Sequence, residues 1–206
     1  MSKVVERIYR NLDDAIKDWV FNDSSPYPVN WYGWSKLTSL FVGQGSEKGL
    51  FFTLNQDIFI ERRSGHRPPC SPRFPVDIYN HHARDFSTEH FVVLPKEDAI
   101  TKAEQDFMDH AGLSYIKLHG SYGWRSSDGS NQMVIGKNKS EIIAREPLLK
   151  WYFELFQKVI AEGSKKILIV GYGFGDQHIN QVLADGVEKY GLQIYIISTK
   201  SSPELK

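Results

Sequence analysis

Three short stretches carry residue types that can handle a small polar molecule. In Lys166 to Asn180, KILIVGYGFGDQHIN, three glycines (Gly171, Gly173, Gly175) leave backbone bare where a phosphate or ribose could approach. A helix opening at Asp176 would favour negative charge at its N-terminus. In TLNQD (Thr53 to Asp57), an amide and a carboxylate stand together. In KLHGS (Lys117 to Ser121), His119 is a side chain able to act as a general base near neutral pH. Each stretch also has a plainer reading. The glycines make a tight strand-to-helix turn, Asn55 and Asp57 cap a helix, and the His119 ring is satisfied by a neighbouring carbonyl.

The elements around these residues decide how they are presented. Ile167 to Val170 is an unbroken aliphatic run, which predicts a strand covered on both faces, as in parallel sheets flanked by helices. Ile179, Val182, Leu183, Gly186, Val187 and Tyr190 recur at helical spacing before Gly191 stops the helix. Ile194 to Ile197 then predicts a second strand, completing a βαβ unit. The glycine turn falls at the carboxyl end of its strand, where open α/β sheets bind ligands. Leu50 to Leu54 and Tyr115 to Leu118 predict two more buried strands, with TLNQD and His119-Gly120 at their ends. Residues 1–48 predict a helical and aromatic segment. Val5, Ile8, Leu12, Ala15, Ile16 and Trp19 share one stripe of a helix over 3–21, and Ser35 to Phe41 predicts a short second helix. Trp31, Tyr32 and Trp34 suit packing against a neighbouring element or a partner. Gly43 to Gly49 reads as a turn. Residues 64–112 read as a small irregular insert, with four prolines in 64–75, short strands at Val76 to Asn80 and His90 to Leu94, and a helix over Lys102 to His110. Ser126 to Asn131 predicts a polar turn, Met133 to Ile135 a short strand, and Pro147 opens a helix with Leu148, Tyr152, Leu155, Phe156 and Val159 in the core.

Composition bounds the rest. Twenty-five basic and 25 acidic residues cancel, so no net field advertises nucleic acid or an anionic membrane. No stretch approaches the ~20 apolar residues of a spanning helix, and the charged N-terminus is unlike a secretory signal. One cysteine, Cys70, excludes an internal disulfide or a multi-cysteine zinc site and suits a reducing, cytoplasmic compartment. His81-His82 lacks a second ligand pair at useful spacing, and no metal is expected. The fold class expected is α/β: a Rossmann-like parallel sheet flanked by helices, one domain over 1–206 with its core at 49–198.

TLNQD, KLHGS and GYGFGDQHIN, in this order and spacing, resemble the Sir2-like superfamily, and within it the zinc-free bacterial branch with FTTNYD-, KLHG- and GYSFGD-type motifs. The resemblance implies NAD as substrate, without a metal. Asn55 would orient the nicotinamide ribose and the attacking water, His119 would accept a proton, and Asp57 would hold the nicotinamide carboxamide. Thr53, Gly120, Gly171, Tyr172, Gly173, Phe174 and Asp176 would complete the cofactor-binding set. Many members of that branch are NAD-cleaving effectors of anti-phage defence, so the resemblance implies an NAD hydrolase, as a homo-oligomer or within a larger defence assembly. The other readings are a non-catalytic module binding NAD or an ADP-ribose derivative, and a remnant that docks onto a partner. Nothing upstream of Leu50 matches the family's first Gly-Ala-Gly-x-Ser loop, so the domain is expected to be N-terminally shortened and to bind NAD weakly unless a partner supplies that loop.

Overall fold

The computed structural model describes residues 3–21, 31–41, 48–64, 74–75, 92–107, 112–126 and 128–199. The fold is mixed α/β and Rossmann-like, with parallel strand pairs flanked by helices. The chain divides into two compact units, Met1–Tyr152 and Phe153–Lys206. Among the described residues no helix is long and apolar enough to cross a membrane.

In the first unit, β1 (Lys48–Thr53) and β3 (Gly112–Lys117) run parallel, in register from Lys48 opposite Gly112 to Thr53 opposite Lys117. Parallel neighbours need a crossover, and α3 (Phe59–Ser64), β2 (Val92–Val93) and α4 (Glu97–Phe107) all lie between them in the chain. The helix expected over Lys102 to His110 therefore begins five residues earlier. Glu97 and Asp98 in its first turn suit the positive end of the helix dipole. Leu113 to Lys117 of β3 are all buried, the pattern of a strand covered on both faces. A second sheet follows, with β4 (Gly120–Arg125) between parallel β2 and antiparallel β5 (Asn131–Met133).

Two helices open the unit, α1 (Lys3–Phe21) and α2 (Trp31–Ser39). The inward face of α1 differs from the expected apolar stripe. Of its described members, Ile8 and Leu12 are exposed and Val5 and Ala15 are half-buried, while Tyr9, off the stripe, is half-buried and Asp13 is buried. The reason is polar matching. Tyr122 meets Glu6, Arg10 and Asp13 electrostatically, and Tyr9 stacks on its ring at 5.7 Å. The side chains of Ile16, Trp19, Trp31, Tyr32 and Trp34 lie outside the described residues, as do Cys70, His81, His82 and the strand expected at Val76 to Asn80.

Helix α5 (Lys139–Arg145) precedes α6 (Pro147–Ala161), whose Leu148, Tyr152, Leu155 and Phe156 are buried as expected. The Tyr152 hydroxyl is fully buried and has no hydrogen-bond partner among the described residues, and burial pushes its pKa above the ordinary phenol value. An unbonded buried hydroxyl costs stability. We expect Tyr152→Phe to leave stability unchanged or raise it by about 1 kcal/mol in urea unfolding. A loss larger than that would show the hydroxyl to be bonded.

The second unit contains the expected βαβ. Strands β6 (Lys166–Val170) and β7 (Gln193–Ile197) are parallel, joined by α7 (Gln177–Tyr190). Gly191 ends α7 in the left-handed conformation and donates its N–H to the Gly186 carbonyl. Gly186 is required by packing: a Cβ there would press on Ile160 and Leu192. Full cover on both faces is not what β6 shows. Only Ile169 is buried, and Val170 is exposed.

Candidate functional site

The carboxyl ends of β1 and β3 emerge side by side because the ladder continues past the strands: the Leu118 N–H donates to the Thr53 carbonyl at 3.0 Å. Beyond it, the Asn55 N–H donates to Thr53 Oγ1 at 3.0 Å, a tight local turn that leaves Asn55 exposed. Asp57 Oδ1 accepts from the Phe59 N–H at 3.0 Å, so this carboxylate opens α3 as an Asx turn. Between these two residues, Gln56 turns inward and is buried. Its Nε2 donates to the carbonyls of His119 at 2.9 Å and Val134 at 3.0 Å, and its own carbonyl accepts from the Tyr122 N–H at 2.7 Å. Gln56 thus ties the end of β1 to the turn after β3.

His119 is 4% exposed, and its carbonyl also accepts the Val134 N–H at 2.9 Å. Gly120 holds φ +72°, and a Cβ there would collide with the Gln132 carbonyl of β5. The chain reverses between β3 and β4 within two residues, which only glycine allows at that point. Beneath the turn, Lys117 Nζ pairs with Glu61 Oε1 at 2.6 Å and also donates to the Asp57 carbonyl, with almost no exposure at either side chain. Burial pushes the Glu61 carboxyl above its ordinary range, and the Lys117 ammonium opposes that shift.

The glycine loop of the second unit is held from within. Asn180, on the first turns of α7, donates Nδ2–H to the Phe174 carbonyl at 2.7 Å and accepts from the Tyr172 hydroxyl at 2.8 Å. The Tyr172 oxygen accepts the Asp176 N–H at 3.2 Å, and the Tyr172 and Phe174 rings lie 4.7 Å apart. These contacts hold Phe174 at φ +56°, a left-handed conformation costing roughly 1–2 kcal/mol for a residue with a side chain. Asp176 occupies the N-cap position as expected, but its side chain makes no cap bond. Removing Asn180 should loosen the loop. Asn180→Ala is expected to lose about 1–2 kcal/mol in urea unfolding and to broaden the Tyr172 and Phe174 amide signals. Sharp signals at parental stability would contradict the brace.

Gly171 needs glycine for its φ of +66°. Gly173 and Gly175 need it neither for φ nor for packing, since a Cβ at either would meet nothing within 4 Å. Their missing side chains keep the loop backbone open to a ligand.

The structure brings Thr53, Asn55, Asp57, His119 and Gly120 to one sheet edge, and places Gly171, Tyr172, Gly173, Phe174 and Asp176 together on one loop of the second unit. Sequence reasoning missed Gln56, the Lys117–Glu61 pair and Asn180. Gln56 and Asn180 sit inside the motifs, but nothing in an amide's type tells whether it faces a ligand or braces a turn. The ion pair spans 56 residues and becomes visible only once β1 and β3 are paired.

Parallel βα units with polar residues and an open glycine loop at the strand ends define an α/β domain of the nucleotide-binding kind. A family model described as a SIR2-like domain matches residues 50–206, and the chain belongs to that family. SIR2-like domains bind NAD, so its function is NAD-related. No curated protein matches the chain.

Proposed function

We propose that the chain is an NAD glycohydrolase, releasing nicotinamide and ADP-ribose. The observation that carries this reading is the pairing of β1 with β3, which delivers Asn55 and His119 from neighbouring strands of a SIR2-like domain. Water attacks C1′ of the nicotinamide ribose, and the bond to the pyridinium nitrogen breaks. Nicotinamide leaves as a neutral molecule with the bonding pair and needs no general acid. The proton of the attacking water passes to His119, and base assistance of this kind is worth roughly 100- to 10,000-fold. The Asn55 amide orients the water and the ribose, while Asp57 turns its remaining carboxylate oxygen to the carboxamide. Thr53 and Gly120 flank these residues. The family resemblance assigns Gly171, Tyr172, Gly173, Phe174 and Asp176 of the second unit to cofactor binding, and their loop offers bare backbone of the kind phosphates accept. In the cell this activity serves anti-phage defence by consuming NAD.

A second reading is favoured by one observation: the His119 ring is nearly closed to solvent and Asp57 already caps α3, as in a binding module that does no chemistry. Incubating the purified chain with NAD separates the two. Equal amounts of nicotinamide and ADP-ribose are expected. NAD that binds and is recovered intact would establish the module instead.

A further inference from the structure

Helix α1 lies outside the segment matched by the family model, yet it reaches the turn that carries His119. The Tyr9 hydroxyl donates to Gln56 Oε1 at 2.8 Å. Gln56 spends both Nε2 hydrogens on the His119 and Val134 carbonyls, so with Tyr9 attached both ends of its amide are engaged. The Val134 N–H returns to the His119 carbonyl, which therefore accepts two bonds. The circuit closes on the other side. Tyr9 stacks on Tyr122 with the rings 14° from parallel, and the Tyr122 N–H donates to the Gln56 carbonyl.

A primary amide can rotate about its last bond and exchange its oxygen and nitrogen positions. Only one orientation places hydrogens on the two carbonyls, which can only accept, and the Tyr9 hydroxyl completes it by donating to the Oε1 left on the other side. Without that donor, Oε1 loses its partner inside a buried residue, and the amide's hold on the two carbonyls weakens. We infer that Tyr9 is a positioning residue of this site: acting through Gln56, it fixes the His119–Gly120 turn and makes α1 part of the SIR2-like site. The inference rests on the proposed role of His119 for its functional meaning, but the geometry it describes is independent of NAD cleavage.

The polar face of α1 supports this assignment. Among its described residues α1 exposes Val4, Ile8 and Leu12, half-buries Val5, Tyr9 and Ala15, and fully buries only the polar Asp13. Among its described residues, Tyr9 bonds Gln56 and stacks on Tyr122, and Asp13 meets Tyr122 electrostatically.

Tyr9→Phe keeps the ring and its stack on Tyr122 while removing one hydroxyl. Amide hydrogen exchange on the full chain reads the result without any ligand. Exchange at Val134 and Tyr122 is expected to accelerate about tenfold, with the α7 amide of Leu183 at its parental rate and the melting temperature nearly unchanged. Gln56→Leu should have the same local effect, and Tyr9→Phe combined with Gln56→Leu should add nothing further, since the two act on one path. In the NAD assay, Tyr9→Phe should lower kcat about tenfold at unchanged KM. Parental exchange rates in Tyr9→Phe, or additive effects in the double variant, would overturn the inference. If the parent chain releases no nicotinamide, the hydrolase reading fails and the exchange result alone decides the role of Tyr9.

Discussion

Gly120→Ala is expected to cost about 2–5 kcal/mol in urea unfolding, more than any other glycine substitution on the candidate loops. Two penalties add. The residue holds φ +72°, which disfavours any Cβ by roughly 1–2 kcal/mol, and the added carbon would meet the Gln132 carbonyl of the adjoining strand. Backbone on both sides of a tight reversal has little room to give, so overpacking contributes a further ~1–3 kcal/mol. Two other glycines provide the contrast. Gly171→Ala meets open space and carries only the φ penalty of ~1–2 kcal/mol. Gly173→Ala carries neither penalty and should leave stability unchanged while weakening NAD binding, because its only cost is the methyl group placed on the open face of the loop. A stability loss below ~1 kcal/mol for Gly120→Ala would show that the β4–β5 approach relaxes easily.

The second large effect concerns the ion pair under the site. Lys117→Met leaves the Glu61 carboxylate buried without its counter-charge, and we expect about 3–5 kcal/mol of destabilisation at neutral pH. The pH dependence has a definite sign. Burial raises the folded-state pKa of Glu61 above its unfolded value, and losing Lys117 removes the charge that opposes that rise. A raised carboxyl contributes stability below its unfolded pKa and loses it as pH rises through the folded one. The variant should therefore be less impaired at about pH 4 than at pH 7, the reverse of ordinary acid destabilisation. Replacing both partners, Lys117→Met with Glu61→Leu, should recover most of the loss, since no charge then remains to be buried. Urea titrations of the three variants at the two pH values check this. A single variant within ~1 kcal/mol of the parent would mean that water reaches the pair.

The βαβ of β6, α7 and β7 was legible because its signals are local. An aliphatic run, closely spaced glycines, a helical stripe and a stop at Gly191 follow one another within 32 residues, Lys166 to Ile197. The ends of β1 and β3 were legible for the same reason, and with them Asn55 and His119. Strand β4 was not. Its sequence, GSYGWR, carries two glycines and no alternation, and only the burial of Tyr122 and Trp124 in the folded unit makes it a strand. Helix α5 is short and follows Asn138 at φ +60°, a start with no side-chain cap bond to announce it. Periodicity found helix α1, but it could not show that Ile8 and Leu12 of its stripe are exposed while Tyr9 and Asp13 meet Gln56 and Tyr122. The same limit hid Gln56 and Asn180: an amide's partners are set by tertiary contacts, and the chain shows only that an amide is present.

One measurement bears most directly on the claim that Asn55 and His119 act together on the glycosidic bond of NAD. The rate of nicotinamide release should be followed for the parent, Asn55→Ala, His119→Ala and the double variant. Each single change is expected to slow release about 100-fold or more, and the double little further, as for groups that serve one transition state. Release by the double variant at the parental rate would contradict the account.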